Sequence, residues 1–218
     1  MNKYDNNILD FRLGDFLIAL SLLTRIPVNI DHHESGERAS KATWAYPLVG
    51  ALIGAISAFI ANIAIFVGLP FSIGAILSLI TMAALTGGMH EDGLSDSADG
   101  LWGGKDKGQI LQIMKDSRIG SFGAIALVLI IVGRYASIKD LIQIESLFWP
   151  LIAAASISRV PMVAAMVFMQ NARADGLSAS VGKPSQISLI VAAVIGTITC
   201  LISAGILGLL VVLSACLG

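Results

Sequence analysis

ATWAYPLVGALIGAISAFIANIAIFVGLPFSIGAILSLITMAALTGGM, residues 42–89, is a run of 48 consecutive residues without a formal charge. A helix that crosses a bilayer needs about 20 apolar residues, so this run is long enough for two. Gly68 and Pro70 divide it into residues 46–69 and 71–89, and this pair favours a turn. The run therefore predicts a transmembrane helical hairpin.

The composition of the whole chain agrees with a membrane protein. Of its 218 residues, 56% are apolar and only 13% are charged, and the mean hydropathy is +0.82. A water-soluble domain is rarely so apolar. The net charge of −1 excludes a basic nucleic-acid binder of the usual kind. Cys200 and Cys216 both lie in an apolar run, so they predict neither a disulfide framework nor a thiolate metal site.

Three further apolar stretches follow the hairpin. Residues 119–133 extend past Arg134 into a span, residues 146–172 form another, and residues 185–218 have room for one long or two short helices. The predicted fold is an all-α polytopic transmembrane bundle of about five to six spans. We predict one integral membrane domain over residues 1–218, comprising a cytoplasmic or interfacial segment (1–41), the hairpin (46–89), a catalytic loop (90–118) and the remaining membrane helices (119–218).

The N-terminal residues and the basic residues predict the topology. Charges of both signs in the first twelve residues do not fit a cleavable signal, so we expect the N-terminus to be retained. Residues 16–24 are too few to cross a bilayer, so we predict an interfacial or re-entrant helix there. The polar residues 31–41 predict a solvated segment. Five Lys and Arg precede Trp44 and four lie between His90 and Arg118. This distribution predicts a multi-pass protein of the cell (inner) membrane with its N-terminus and acidic site in the cytoplasm.

HEDGLSDSADG, residues 90–100, is the segment that predicts chemistry. If the preceding helix continues, Asp92, Asp96 and Asp99 fall at about 0°, 40° and 340° and share one face. Their mutual repulsion, and a cost of about 2.5–3.5 kcal/mol for each charge at the bilayer centre, favour a bound cation. Ligands that are all oxygen indicate Mg²⁺ or Mn²⁺, and Mg²⁺ if phosphate oxygens take part. The four-and-three spacing excludes an EF-hand loop.

The polar side chains of residues 90–100 are also compatible with roles outside metal binding. Solvated acids in a loop are the alternative interpretation of the aspartates, and their position beside an apolar helix favours metal ligands over it. Glu91 lies about 100° from the aspartate face, which favours a supporting position. His90, a lone histidine at a helix end, is more often interfacial than a ligand.

KDSR, residues 115–118, is the second polar cluster. Lys115 and Arg118 are suited to hold a phosphate group against a metal, with Asp116 as a further ligand; a cytoplasmic helix cap with snorkelling bases is the alternative. Arg159 lies inside an apolar stretch, which indicates either a phosphate-binding residue or a loop between two half-helices near Pro161.

Together these residues predict phosphoryl transfer. Mg²⁺ held by aspartates would bridge a diphosphate and neutralise charge on the leaving phosphate. Arg25 and Arg134 are weaker candidates for phosphate contact. The base for the incoming hydroxyl is predicted among Asp99, Glu91 and His90, in that order, although a metal-bound aspartate is a poor base.

At this point the sequence resembles the adenosylcobinamide-GDP ribazoletransferase (cobalamin synthase) family. The resemblance runs in order over residues 22–183. It is carried by TRIPV (24–28), YPLVG (46–50), TGGMHEDGLSDSADG (86–100) and IMKDSRIG (113–120), with SR (158–159) and DGL (175–177) in support.

The resemblance implies a Mg²⁺-dependent membrane transferase late in cobalamin biosynthesis. Its substrates would be adenosylcobinamide-GDP and alpha-ribazole or its 5'-phosphate, a choice that the sequence leaves open, and GMP would be released. The acidic block is similar to the aspartate motif of the CDP-alcohol phosphotransferases, whose analogy also favours the last aspartate as base. Members of the family usually continue into a glycine-rich segment with Gly-Asp and another helix, and we expect that segment to be absent after Gly218.

Two other functions are compatible with parts of the sequence. A lipid-forming CDP-alcohol phosphotransferase would have Ala-Arg after the first Asp-Gly pair and a longer gap to its last aspartates, and the Ser95-Asp96 sequence does not supply this signature. A cation transporter with an acidic intramembrane site would use the acids, but it has little use for the bases in residues 115–118. Gly50 and Gly54 permit close helix approach, and an oligomer stays open.

Overall fold

The computed structural model describes residues 11–217, with only the backbone described at positions 32, 34 and 204–217. Every regular element in this range is a helix, which confirms the predicted all-α fold. The helices are α1 (Leu13–Leu23), α2 (His32–Arg38), α3 (Tyr46–Phe66), α4 (Phe71–Thr86), α5 (Met89–Gly103), α6 (Lys107–Ile113), α7 (Ser121–Gln143), α8 (Phe148–Ile157), α9 (Val160–Phe168), α10 (Leu177–Val181) and α11 (Gln186–Leu217). A 3₁₀ turn, Lys41–Ala45, leads into α3.

Four apolar segments in the described residues are long enough to cross a membrane, and a bent pair of helices raises the number to five. The four are Lys41–Phe66, Ser121–Gln143, Phe148–Phe168 and Gln186–Ser203, and the bent pair is α4 with α5. The multi-pass prediction is confirmed, with five spans as the value common to prediction and structure. For the last apolar stretch, the structure has one long helix, Gln186–Leu217, rather than two short ones.

Two glycines end α4 and redirect the chain. Gly87 and Gly88 have φ angles of 66° and 72°, a left-handed conformation that favours glycine. Their N–H groups donate to the carbonyls of Ala84 and Ala83, so the helix ends in a Schellman motif. The axis of α5 is bent by 87° from that of α4. The acidic block therefore does not continue α4, as the sequence suggested, but belongs to a helix of its own.

The chain divides into two compact units, one containing the residues up to Gly54 and from Ile152 onward, the other Ala55–Leu151. Whether residues 1–218 form a single domain stays a prediction. In the first unit, α1 and α11 pack on the 3₁₀ turn and α11 also packs on α9. Gly50 of α3 lies against the backbone of Ala155, where a β-carbon would touch the Ala155 carbonyl.

A buried charge pair, absent from the sequence prediction, lies in the first unit. The carboxylate of Asp15 is fully buried, and Arg38 donates to it from Nε (2.9 Å) and Nη2 (3.1 Å). Trp44 Nε1 (3.1 Å) and the backbone N–H of Arg12 (3.0 Å) also donate to Asp15. Arg38 is the last residue of α2, and it is buried because its guanidinium neutralises the buried Asp15 carboxylate. The expectation of a solvated segment over residues 31–41 is therefore wrong at this residue.

The second unit brings the polar segment and α7 together. Both α4 and α5 pack against α7, and α6 packs against α5. The expected catalytic loop over residues 90–118 is largely helical, because α5 and α6 occupy most of it. Asp106 begins α6 as its N-cap, accepting the N–H of Gln109 at 2.9 Å.

Candidate active site on helices α5 and α7

The three aspartates of the acidic block lie on one helix, α5, so the four-and-three spacing places them along one face. Their burial increases along the chain: Asp92 is exposed, Asp96 is half-buried, and Asp99 is 9% exposed. Leu94 and Leu101, on the opposite face of α5, are both exposed. The helix therefore presents an acidic face whose far end is shielded from solvent.

Asp99 is held against the start of α7. The backbone N–H of Gly120 donates to Oδ2 (2.7 Å), and that of Gly123 donates to Oδ1 (2.9 Å). A negative charge at this end of a helix is favoured by the helix dipole and by the unpaired N–H groups of the first turn. A β-carbon at either glycine would collide with the Asp99 carboxylate, and at Gly123 also with Ser95 Oγ. We call this contact of Asp99 with Gly120 and Gly123 the Asp99 clasp.

The clasp positions the second polar cluster. Gly120 follows Arg118 by two residues, so fixing Gly120 on α5 holds the end of the KDSR segment next to the acidic helix. The sequence pattern gave neither glycine a role in the site. The signal that could have indicated their role is the G-x-x-G spacing at the start of a helix, which leaves room for a carboxylate at the N-terminus.

Arg118 is engaged with Asp116 rather than with the aspartates of α5. Its Nη2 lies 2.6 Å from Asp116 Oδ2, and its Nε donates to both carboxylate oxygens at 3.1 Å. Hydrogen bonding from Arg118 lowers the pKa of Asp116. The side chain of Arg118 is 87% exposed, and Lys115 is exposed as well. Both bases are accessible to a soluble anion, and phosphate contact stays a prediction.

Glu91 pairs with Arg134. Arg134 Nη1 donates to Glu91 Oε1 at 2.9 Å, an ion pair that joins the first turn of α5 to the middle of α7. The sequence indicated other roles for both residues, Glu91 as base and Arg134 as phosphate ligand, and did not predict the pair. His90, the preceding residue, is half-buried.

The described residues contain no group of three or more His, Cys, Asp or Glu side chains that could hold a metal ion by themselves. Asp92, Asp96, Asp99 and Asp116 therefore do not form a ready-made protein cage. Mg²⁺ commonly binds through one or two carboxylates, several waters and substrate phosphates, and the oxygen donors on α5 fit that mode. The metal ligands stay a prediction.

The remaining two candidates belong to the first unit. Arg25 is exposed, just after α1. Arg159 is 6% exposed at the break between α8 and α9, and its Nη1 donates to Ser158 Oγ at 2.7 Å. The helix is broken at Arg159, as one of the two interpretations predicted, and the arginine is buried within an apolar segment. Phosphate contact by either residue stays a prediction.

The fold and the acidic helix α5 define a class of protein. It is an all-α multi-pass membrane protein in which a helix carrying several acidic residues is bent away from the preceding membrane helix, α4. The particular family follows from comparison. The chain belongs to the cobalamin-5-phosphate synthase family, whose model matches residues 15–218.

Curated relatives agree with this assignment. The adenosylcobinamide-GDP ribazoletransferases of Bradyrhizobium diazoefficiens and Mesorhizobium japonicum are 37% and 40% identical, over 88% and 87% of this chain and 74% and 73% of their own length. That of Vibrio cholerae is 37% identical over 81% of this chain and 67% of its own length. No solved structure matches the chain significantly. The predicted resemblance is confirmed, and the chain is a transferase of cobalamin biosynthesis.

Proposed function

We propose that the protein transfers the phosphoryl group attached to cobinamide from adenosylcobinamide-GDP to alpha-ribazole or alpha-ribazole 5'-phosphate. A ribazole hydroxyl would form the new phosphoester bond and GMP would leave with the electron pair of the broken diphosphate bond. The relatives named above support the substrates. The reaction would occur at the cytoplasmic side of the cell membrane, as the distribution of basic residues predicts.

The Asp99 clasp is the observation that carries the site assignment. It ties the helix that bears Asp92 and Asp96 to the segment that bears Lys115 and Arg118. Acids suited to a divalent cation and bases suited to phosphate are thereby held next to each other in one unit. A diphosphate substrate needs both, whereas a cation transporter does not.

Mg²⁺ would be held by Asp92 and Asp96 together with the diphosphate of the substrate, and it would supply charge neutralisation on the departing GMP. Lys115 would contact the diphosphate as a point charge. Arg118 would exchange its fork on Asp116 for a fork on a phosphate, because each anion presents two oxygens at a spacing that fits two N–H groups of the guanidinium.

The proton of the attacking hydroxyl needs an acceptor. Asp99 is the first candidate, followed by Glu91 and His90. Each Asp99 oxygen accepts one backbone N–H in this structure, and a carboxylate has about four lone-pair positions in all. Asp99 therefore has lone pairs left to accept a proton while it also holds α7.

The proposal is tested by incubating membranes that contain the full chain with adenosylcobinamide-GDP, alpha-ribazole 5'-phosphate and Mg²⁺, and measuring GMP. We expect GMP release that requires Mg²⁺. Asp92→Asn should abolish it, and Asp140→Asn, at an exposed residue near the end of α7, should not. Wild-type membranes that release no GMP would contradict the function. Equal activity of the two variants would contradict the assignment of the site.

A further inference from the structure

The second unit also contains a groove, lined in part by Glu91, for which the proposed function gives no ligand. It has a volume of about 470 Å³, within the range of roughly 300–1,000 Å³ that is usual for small-molecule sites. One wall is Ile76, Leu79, Ile80 and Ala83, at the i, i+3, i+4, i+7 spacing of one face of α4. The facing wall comes from α7. Ile76 and Ile80 are 41% and 56% exposed, so the groove opens on the surface of two apolar helices.

The polar part of this groove is the Glu91–Arg134 ion pair, with Tyr135 beside it. The pair is incomplete. In the described part of the chain, Glu91 Oε2 is shielded from solvent and has no hydrogen-bond partner, and Arg134 makes one hydrogen bond, from Nη1. Leaving a carboxylate oxygen buried without a donor is costly, so a ligand that donates an N–H at this point would be favoured.

The chemistry of the missing partner follows from these two groups. For Glu91 Oε2 a cationic N–H is the strongest donor, because hydrogen bonds between charged partners are about twice as strong as neutral ones, and the remaining N–H groups of Arg134 are suited to a phosphate oxygen. The adjoining walls are apolar and require a hydrocarbon chain. A primary ammonium, a phosphate and an acyl chain occur together in phosphatidylethanolamine.

We propose that the α4–α7 groove binds one phosphatidylethanolamine molecule, with its ammonium on Glu91, its phosphate on Arg134 and an acyl chain along α4. Phosphatidylcholine has no N–H to donate to Oε2, and phosphatidylglycerol brings no cation to Glu91. Headgroup selectivity therefore distinguishes this site from unspecific coating of an apolar surface by lipid.

The test is native mass spectrometry of the purified full chain in detergent, titrated with the three lipids carrying identical acyl chains. We expect one tightly retained phosphatidylethanolamine, bound at least about fivefold more tightly than the other two, the lower limit for satisfying a buried acceptor. Glu91→Gln should remove this preference. Ala83→Phe should fill the groove and weaken binding, whereas Ala84→Phe, at an exposed neighbour on α4 that does not line the groove, should not.

Three results would overturn the proposal. Equal retention of the three lipids by the wild-type chain would show that the headgroup is not recognised. Equal retention of phosphatidylethanolamine by Ala83→Phe and Ala84→Phe would place the lipid elsewhere. A dimer that Ala83→Phe abolishes and added lipid leaves unchanged would identify a second copy of the chain as the occupant. All three readouts are independent of transferase activity.

Discussion

Gly123→Ala is expected to open the Asp99 clasp without altering any titratable group. A β-carbon at position 123 would collide with Asp99 Oδ2 and Ser95 Oγ, and it would lie 3.0 Å from Asp99 Cγ. Inserting a methyl group into such a contact costs about 1–3 kcal/mol. If this cost weakens the packing of the start of α7 on α5, the form in which Asp99 no longer contacts Gly120 and Gly123 becomes roughly 5- to 150-fold more populated.

Hydrogen–deuterium exchange of the purified chain measures this change directly. We expect faster exchange at Gly120 and Gly123 in Gly123→Ala, because both N–H groups lose the Asp99 carboxylate as acceptor. Gly133→Ala is the matched control: it lies on the same helix, and nothing lies within 4 Å of its added β-carbon. Its amides near the start of α7 should exchange as in the wild type.

A double-mutant cycle then separates the clasp from the chemistry of Asp99. Asp99→Asn removes one acceptor oxygen, so Gly123→Ala should cost less in that background, with a coupling above about 0.5 kcal/mol in exchange free energy. GMP release should fall in both single variants. Unchanged exchange in Gly123→Ala, or additive effects of the two substitutions, would refute the reasoning.

Three further predictions concern single residues. Arg118→Lys should lower kcat/KM for GMP release by an amount equivalent to about 2–4 kcal/mol, since an ammonium cannot replace a fork on phosphate; a loss below threefold would contradict it. Gly50→Ala should lower the midpoint of thermal unfolding in detergent, because its β-carbon would touch the Ala155 carbonyl, at a cost of about 1–3 kcal/mol. Gly14→Ala is the control, since its added β-carbon would have nothing within 4 Å. Asp15→Asn should cost about 3–5 kcal/mol by removing one charge of a buried ion pair, and an unchanged midpoint would disprove that.

The local features of the fold were accessible from the sequence. A run of 48 uncharged residues must satisfy its own backbone hydrogen bonds in lipid, and helices do so within one segment. The hairpin could therefore be placed from composition and from Gly68 and Pro70 alone. The shared face of Asp92, Asp96 and Asp99 follows from helix geometry, and it holds although α4 ends before them, because all three lie within α5.

The partners of the charged residues were decided only by the tertiary structure. Asp99 reaches Gly120 and Gly123 across 21 and 24 residues, Glu91 reaches Arg134 across 43, and Arg38 reaches Asp15 across 23. Helical periodicity relates residues three or four apart and contains no information on which helices pack together. In the second unit, these groups are brought together by the bend at Gly87 and Gly88 and by the packing of α5 on α7. A buried charge then pairs with the counter-charge or N–H group that this packing places beside it.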